Sequence, residues 1–392
     1  MVTSKTGQKG PDLEETLKAY FWQAGYFVVR GLPFRLDGED ITDVDLWLYE
    51  RPAALTRRRL ILDAKNKKVP RAAERLVWVR GLQSALGVDG AIVASTDKRQ
   101  SSKRLAKAMG VTLLDGEAIA KLVNASKLKL DNQLSSEVFD GLFKAVDSGR
   151  RNGDWRAALL APRASLLTSF GVHSSNTALR SVGFFGEQAI LAAPRSEQAN
   201  TALRGFYSTC AYAAIGLDYL LADLGFKSQE ERRTALTNGI RFGQTDATEA
   251  LATVRAALAL VRQHAPNGNS IAKQVERGFE EQAAHISAET IADYVSRLST
   301  ADALHMIARE LERNAYMIEM VHFDNLSVEA RSLVGVFLDF HDLSREKLAN
   351  AETRGGAAKP AETVPDVAGK EIGSLFPETM ANRPKSNKDN PQ

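Results

Sequence analysis

The chain has 392 residues, 44% of them hydrophobic and 25% charged, with a formal net charge of +3. This length and balance are typical of a soluble globular protein with two ordinary domains. The single cysteine, Cys210, excludes an intrachain disulfide and a cysteine-rich zinc cluster. No segment approaches roughly eighteen uninterrupted apolar residues, and no apolar stretch follows the basic N-terminus, so we expect a cytoplasmic protein without a membrane span.

The charge is distributed unevenly along the chain. Residues 1–124 carry 21 Lys and Arg against 15 Asp and Glu, whereas the remainder carries more acidic than basic side chains. A basic segment joined to a mildly acidic one favours a polyanionic partner for the first.

Residues 1–124 alternate between helical and strand patterns. The order predicted from hydrophobic spacing is helix, three strands, helix, strand, helix, strand and a short closing helix. This mixture predicts one layered α/β domain over 1–124. The segments, in chain order, are LEETLKAYFWQAG, YFVVRGLPF, DVDLWLYE, RRRLILDAK, RAAERLVWVRGLQSALG, GAIVAST, SSKRLAKAMG, VTLLDG and EAIAKLV, with the polar loop RPAALTR between the second and third strands.

The pattern changes after the first third of the chain. Long Ala- and Leu-rich segments such as TDATEALATVRAALALVRQH predict an all-helical domain over 125–350. Residues 351–392 contain five of the twelve prolines and one aromatic residue, Phe376, and this composition predicts a disordered tail.

Acidic side chains fall on one face of two neighbouring predicted strands. Side chains alternate along a strand, so Asp43 and Asp45 share a face in DVDLWLYE, and Asp63 and Lys65 share a face in LILDAK. If these strands pair as a hairpin, Asp45 and Asp63 converge at one edge with Lys65 beside them. Two close carboxylates repel each other unless a cation lies between them, and Mg²⁺, with Mn²⁺ as a substitute, is the cation that we expect.

Other hydrolytic chemistries lack their sequence signatures. All six histidines lie in the helical part without H-E-x-x-H spacing, and the chain has no G-x-x-x-x-G-K-[ST] phosphate loop. A Ser-His-Asp or Cys-His arrangement has no recognisable local pattern, and Cys210 lies in an apolar segment typical of a protein core. We therefore expect neither zinc-dependent hydrolysis nor ATP hydrolysis.

The segments LEETLKAYFWQAGYFV, DVDLWL, LILDAKNKK, VRGLQSALGVDGAIVAST and AKAMGVTLLDGEAI occur in an order that resembles one known family. The likeness is to the endonuclease domain of Mrr-type restriction enzymes and Holliday-junction resolvases, in the PD-(D/E)XK superfamily, and it covers about a third of the chain. It implies a restriction-endonuclease-like fold and metal-dependent cleavage of DNA. It also implies catalytic roles for Glu14, Asp45, Asp63 and Lys65, with the three acidic residues binding the metal.

The resemblance leaves alternatives open at several positions. Asp63 stands where Glu or Gln is commoner in the family, which shortens the reach to a metal by one methylene. Glu15 is an alternative to Glu14, and Asp43 is an alternative to Asp45. Gln83, on the helix after the proposed site, either reaches the site or belongs to an ordinary polar helix face.

Basic residues flank the proposed site, and contacts from such residues to phosphates supply affinity without reading sequence. The candidates for binding nucleic acid are Arg59, Lys67, Lys68 and Arg71. Further basic residues in the same stretch are Arg57, Arg58, Arg75 and Arg80, and a solvated surface is the alternative role.

These observations lead to the hypothesis of a Mg²⁺-dependent DNA endonuclease acting in restriction, phage defence or DNA repair. The helical domain would serve oligomerisation, regulation or partner binding. Partners other than DNA would be a second copy of the chain, in a homodimer or higher oligomer, or a motor or sensor protein. The alternative is a catalytically inactive nucleic-acid-binding or scaffold protein whose helical domain docks a partner, and an RNA substrate is a third hypothesis.

Overall fold

The front of the chain folds around a mixed five-stranded sheet. The computed structural model describes residues 9–65, 71–124, 132–148, 153–298 and 302–351. The strands lie side by side in chain order, with the first three antiparallel and the last three parallel. They are β1 (Phe27–Leu36), β2 (Glu39–Ala53), β3 (Thr56–Lys65), β4 (Gly90–Ser95) and β5 (Thr112–Leu114).

Four helices cover the two faces of this sheet: α1 (Lys9–Gln23), α2 (Ala72–Leu86), α3 (Gln100–Met109) and α4 (Gly116–Asn124). Helices α2 and α3 connect parallel strands and pack against each other, whereas α1 packs with α4. Gly87 and Gly110 end α2 and α3 with φ angles of +59° and +65°, a left-handed conformation that glycine adopts without steric cost. The predicted order of elements is confirmed through residue 124.

The connection between β2 and β3 is shorter than the predicted polar loop over 51–57. Strand β2 continues to Ala53 and β3 begins at Thr56, with Ala53 paired to Thr56. Arg57 stabilises this tight turn, because its guanidinium donates hydrogen bonds to the carbonyl oxygens of Ala53 and Ala54. The predicted loop residues at both ends therefore belong to the hairpin.

The rest of the described chain is helical, as predicted from its composition. Helix α8 is its centre: every residue from Thr201 to Asp218 is buried, including Cys210, and the helix packs against α7 and α13. The helices are α5 (Ser136–Ser148), α6 (Trp155–Thr168), α7 (Val172–Leu191), α8 (Glu197–Asp223), α9 (Gln229–Phe242), α10 (Ala247–His264), α11 (Gly268–Ala284), α12 (Ala288–Val295), α13 (Ala303–Tyr316), α14 (Val328–Phe340) and α15 (Arg345–Ala351), with short 3-10 helices at Ser296–Leu298 and Phe323–Asn325.

The helical part covers the sheet directly. Helix α6 packs on β1, and Trp47 and Tyr49 of β2 are fully buried with Phe170 against both rings. Arg309 of α13 donates a hydrogen bond of 2.6 Å to the carbonyl oxygen of Trp22. By their contacts, the described residues from 9 to 351 form one compact unit.

Two of the domain predictions fall on parts of the chain that the structure does not describe. The boundary predicted at residue 124 adjoins 125–131, and the predicted disordered tail lies beyond 351, so both lie outside the described residues. Among the residues that are described, none of the helices has the length and apolar character needed to cross a bilayer.

Buried ion pairs join the sheet to the helical part. Asp218 of α8 accepts a hydrogen bond of 2.6 Å from the Tyr49 hydroxyl and forms ion pairs with Arg57 at 2.7 Å and Arg51 at 3.3 Å. We call these four residues the Asp218 network. Since a buried charge is costly unless it is paired, this network fixes α8 against the β2–β3 hairpin.

Candidate functional site

The hairpin of β2 and β3 brings three of the predicted site residues together. The two strands are antiparallel and their register pairs Leu46 with Leu62. The neighbouring position is therefore Asp45 on β2 and Asp63 on β3. The Lys65 ammonium lies 3.1 Å from Asp45 Oδ2 and 3.9 Å from Asp63 Oδ1. Asp45 Oδ2 also accepts a hydrogen bond of 2.8 Å from the backbone N–H of Ala64. Two carboxylates and one ammonium group therefore meet at one end of the hairpin.

Arg75 of α2 binds the second of these carboxylates. Its Nε donates a hydrogen bond of 2.8 Å to Asp63 Oδ2, and its Nη2 donates to Asp63 Oδ1. Both oxygens of Asp63 are thus engaged by one guanidinium in the two-pronged geometry typical of arginine and carboxylate. Partial burial lowers the pKa of Arg75, while the negative charge of Asp45 opposes that shift.

A small cleft opens beside the three residues, between the hairpin and α2. Trp78 and Leu82 of α2 form one wall, and Asp45 and Asp63 form part of the other. Asp43, the alternative to Asp45, also lines this cleft, but its side chain is exposed, and within the described part of the chain the ion pairs of Lys65 are with Asp45 and Asp63. Asp45 is therefore the aspartate of β2 that lies closest to the predicted partners.

Glu14 lies on α1 and its carboxylate is bound by Arg30 of β1, whose Nε donates a hydrogen bond of 2.8 Å. Burial raises the pKa of Glu14; the hydrogen bond from Arg30 opposes this shift, and the nearby charge of Asp45 adds to it. Glu14 therefore feels the charge of the site, but its own carboxylate is held by an arginine. The same guanidinium also binds Glu15 and Glu137, at 2.7 and 2.6 Å.

Glu15, the alternative to Glu14, has a structural role. Its carboxylate accepts a hydrogen bond of 2.9 Å from the backbone N–H of Ser136, at the start of α5. Burial alone would raise the pKa of Glu15, but the positive charge of Lys18 and the hydrogen bonds from Ser136 lower it. Glu15 therefore ties α1 to the helical part, which leaves Glu14 as the acidic residue of α1 nearer the site.

The predicted basic residues do not all lie at the site. Arg71 precedes α2 with an exposed side chain 3.4 Å from Glu74. Arg59 is four residues before Asp63 on β3, about 13 Å along the strand, and donates a hydrogen bond of 2.7 Å to the carbonyl oxygen of Gly87. Lys67 and Lys68 lie outside the described residues. Of the two candidates that the structure describes, Arg71 therefore has the more exposed side chain.

Two further residues of the same stretch have partners away from the cleft. Arg57 is buried in the Asp218 network rather than exposed to a ligand. Gln83 is buried, accepts a hydrogen bond of 2.8 Å from Arg80, and donates to the carbonyl oxygen of Val88 at 3.4 Å. Gln83 therefore supports the end of α2 and does not reach the carboxylates.

Comparisons with protein families, curated proteins and solved structures gave no match.

The carboxylates of the cleft suit a hard divalent cation. Asp45 and Asp63 offer oxygen ligands, and Mg²⁺ commonly binds one or two carboxylates and completes its coordination with water and substrate phosphate. No group of three or more His, Cys, Asp or Glu side chains among the described residues is placed to hold a metal. Arg75 already places positive charge on Asp63, so this carboxylate is a cation-binding group in the fold. A cation bound by Asp45 and Asp63 would therefore have to displace Arg75 from Asp63.

The sequence did not single out Arg75, which binds Asp63, or Trp78, which lines the cleft. Arg75 was one basic residue among eight, and Trp78 was one apolar residue of a predicted helix. Their spacing held a usable signal: Arg71, Arg75 and Trp78 follow at intervals of four and three residues and so share one face of α2.

Proposed function

We propose that the cleft at Asp45, Asp63 and Lys65 hydrolyses phosphodiester bonds in DNA with the help of Mg²⁺. The observation that carries this proposal is the convergence of two carboxylates and a lysine at the end of the β2–β3 hairpin. The order of helices and strands, and the change from antiparallel to parallel pairing at β3, support the resemblance to a restriction-endonuclease-like fold.

The proposed roles follow from charge and position. Asp45 and Asp63 would hold the metal, which would supply a water molecule of lowered pKa and positive charge beside the scissile phosphate. Lys65, anchored 3.1 Å from Asp45, presents its ammonium to a phosphate oxygen or to the attacking water. Arg71 contacts a neighbouring phosphate. Glu14 acts on the site through its charge, since its carboxylate is bound to Arg30.

The test is a cleavage assay with supercoiled plasmid, linear duplex and single-stranded DNA, each with Mg²⁺, Mn²⁺ or EDTA. We expect cleavage that requires metal and that falls about a hundredfold or more in Asp63→Ala and Lys65→Ala. Matched controls are Asp40→Ala and Lys107→Ala, which remove the same side-chain types at exposed positions away from the cleft. Thermal unfolding of each variant establishes that it remains folded.

Several outcomes would contradict the proposal. Cleavage that persists unchanged in Asp63→Ala and Lys65→Ala would place the active centre elsewhere. Equal losses in the Asp40→Ala and Lys107→Ala controls would show that the effect does not depend on the cleft.

A second candidate function is nucleic-acid binding without cleavage. It is favoured by the double hydrogen bond of Arg75, which satisfies both oxygens of Asp63 within the protein itself. This candidate predicts that the protein binds DNA equally well with Mg²⁺ and with EDTA, and that no variant at Arg75 produces cleavage. Metal-dependent cleavage in the assay above would eliminate it.

A further inference from the structure

One side of α2 carries two cations and one aromatic ring, and the ring lines the cleft. Arg71 precedes the helix, Arg75 lies about one turn later, and Trp78 about one turn after that. Arg75 contacts Asp63, and Trp78 lines the same cleft as Asp45 and Asp63. The ring therefore lies beside the carboxylates that we propose to act on phosphate.

Trp78 is unusually exposed for a tryptophan. Its relative exposure is 44%, whereas Trp47 and Trp155 are fully buried and Trp22 lies beneath the guanidinium of Arg309 at 4.8 Å. Tryptophan is normally well buried on average, although single exposed apolar residues are common on protein surfaces. What distinguishes Trp78 is its place in the wall of a cleft that also contains charged groups.

The helix beneath this ring is firmly fixed. Leu76 and Val79, on either side of Trp78 in sequence, are buried in the core against the sheet. The left-handed Gly87 ends the helix with hydrogen bonds to the carbonyl oxygens of Gln83 and Ser84. The backbone that carries Trp78 is thus held in place by the packing of Leu76 and Val79, and a fixed backbone is one requirement for a binding platform.

We propose that Trp78 is a stacking platform for an unpaired base, and that the substrate of this cleft is single-stranded DNA or a strand separated from its complement. This inference rests on the proposed phosphodiesterase function and names its substrate class. Bases in a duplex are stacked on one another and cannot offer a face to a protein ring, whereas unpaired bases stack readily on aromatic side chains. The exposed Arg71, at the start of the same helix, would bind a phosphate of the same strand. Such a phosphate contact would fix the position of the strand without reading its sequence.

The inference is tested by binding rather than cleavage, with the full chain kept in EDTA. Tryptophan fluorescence is titrated with a short oligothymidine, with a blunt duplex of equal phosphate number, and with a strand whose central nucleotides are abasic. For the oligothymidine we expect quenching of Trp78 emission and an affinity about tenfold tighter than in Trp78→Ala. Trp78→Phe should retain most of that affinity, since it keeps an aromatic face.

The abasic strand gives the sharpest comparison. It keeps the phosphates and removes the bases, so wild type and Trp78→Ala should bind it with equal affinity. Removing the ring and removing the bases should each weaken binding, and making both changes together should weaken it no further than either change alone. Val77→Ala is the matched control, because Val77 is 59% exposed on the same helix and is not among the residues lining the cleft. Its affinity for every strand should equal that of the wild type, as should the duplex affinity of Trp78→Ala.

The proposal is overturned if Trp78→Ala binds oligothymidine as tightly as the wild type, or if Val77→Ala loses as much affinity. It is also overturned if Trp78→Ala changes the mass of the protein in sedimentation without changing strand affinity, since the ring would then belong to an interface between copies of the chain. Failure here is distinct from failure of the proposed function: binding in EDTA needs no cleavage, and a nuclease without a stacking ring would still cut.

Discussion

Two aspartates of this chain are each bound by arginine, in very different surroundings. Asp218 is 1% exposed and is bound by Arg57 and Arg51, both almost fully buried, together with the Tyr49 hydroxyl. Asp63 has a side chain that is 10% exposed, and its partner Arg75 is 31% exposed at the edge of a cleft. The same pair of charges is thus closed off from water in one place and open to it in the other.

The difference in solvent exposure decides how much each ion pair contributes to stability and how readily its partners separate. Removing one member of a buried pair leaves a charge without water or partner, which costs several kcal/mol, so the Asp218 network is a permanent part of the fold. A pair that water reaches is worth little to stability, because solvent screens the charges and replaces either partner. We therefore expect that another cation is able to replace Arg75 at Asp63, as the proposed metal site requires.

Replacing Asp218 should damage the fold more than any change at the cleft. Asp218→Ala leaves Arg57 and Arg51 buried without their counter-ion, and we expect the free energy of unfolding to fall by about 3 to 5 kcal/mol. Urea denaturation followed by circular dichroism measures this change.

The control for that measurement lies on the same helix. Asp223→Ala removes an exposed aspartate at the end of α8 and should change the free energy of unfolding by less than about 0.5 kcal/mol. If the two variants are equally stable, the Asp218 network does not hold the sheet and the helices together.

His305, a buried histidine near Asp218, should make the free energy of unfolding depend on pH. Burial lowers the pKa of His305 to about 4 from its ordinary 6.5, although the charge of Asp218 opposes the shift. The unfolded chain therefore binds a proton between these values that the folded chain does not. Stability is fully present above pH 6.5 and is lost as pH falls toward 4, by about 3 kcal/mol from this group.

His305→Gln isolates this contribution from that of the carboxylates. Comparing urea denaturation at pH 7 and pH 4, we expect the variant to lose less stability than the wild type by about 3 kcal/mol. His264→Gln, at an exposed position, should leave the difference unchanged. A wild-type loss that persists in full in His305→Gln would assign the acid sensitivity to other groups.

Removing Arg75 should have the smallest effect on stability and a clear effect on metal binding. Arg75→Ala frees both oxygens of Asp63, and we expect Mn²⁺ affinity, measured by electron paramagnetic resonance, to rise about tenfold, which corresponds to about 1.4 kcal/mol. The free energy of unfolding should change by about 1 kcal/mol or less, because the pair is partly exposed.

Arg71→Ala is the matched control for the metal measurement, since it removes an arginine at the start of the same helix without touching Asp63. A lower Mn²⁺ affinity in Arg75→Ala would contradict the replacement of Arg75 by a metal cation at Asp63, and would show that the arginine helps to form the site.

Much of the front of the fold was predictable from local patterns. Alternating side chains placed Asp45, Asp63 and Lys65 on one face of a hairpin, and the register brings them within hydrogen-bond or ion-pair distance. Gly87 and Gly110 end their helices where the sequence placed those ends. These signals are carried by residues close together in the chain, so a single sequence contains them.

The remaining features depend on partners that are distant in sequence. Trp47 shares a strand face with Asp45, yet it is buried under Phe170, and no local pattern distinguishes such a residue from one that lines a cleft. Arg57 was grouped with basic residues that contact phosphate, but its partner is Asp218, 161 positions away. The choice of Arg75 as the partner of Asp63 depends on how α2 crosses the sheet, which spacing alone does not give.

The hydrogen bond from Arg309 to Trp22 joins residues 287 positions apart, and it has a consequence for synthesis on the ribosome. At roughly 5 to 20 residues per second, Trp22 is made about 15 to 60 s before Arg309. In the first part of that interval, before Phe170 has been made, the rings of Trp47 and Tyr49 lack the aromatic side chain that packs against both of them in the folded protein. We therefore expect the nascent sheet to bind chaperones that recognise exposed aromatic side chains until the helices that cover it have emerged.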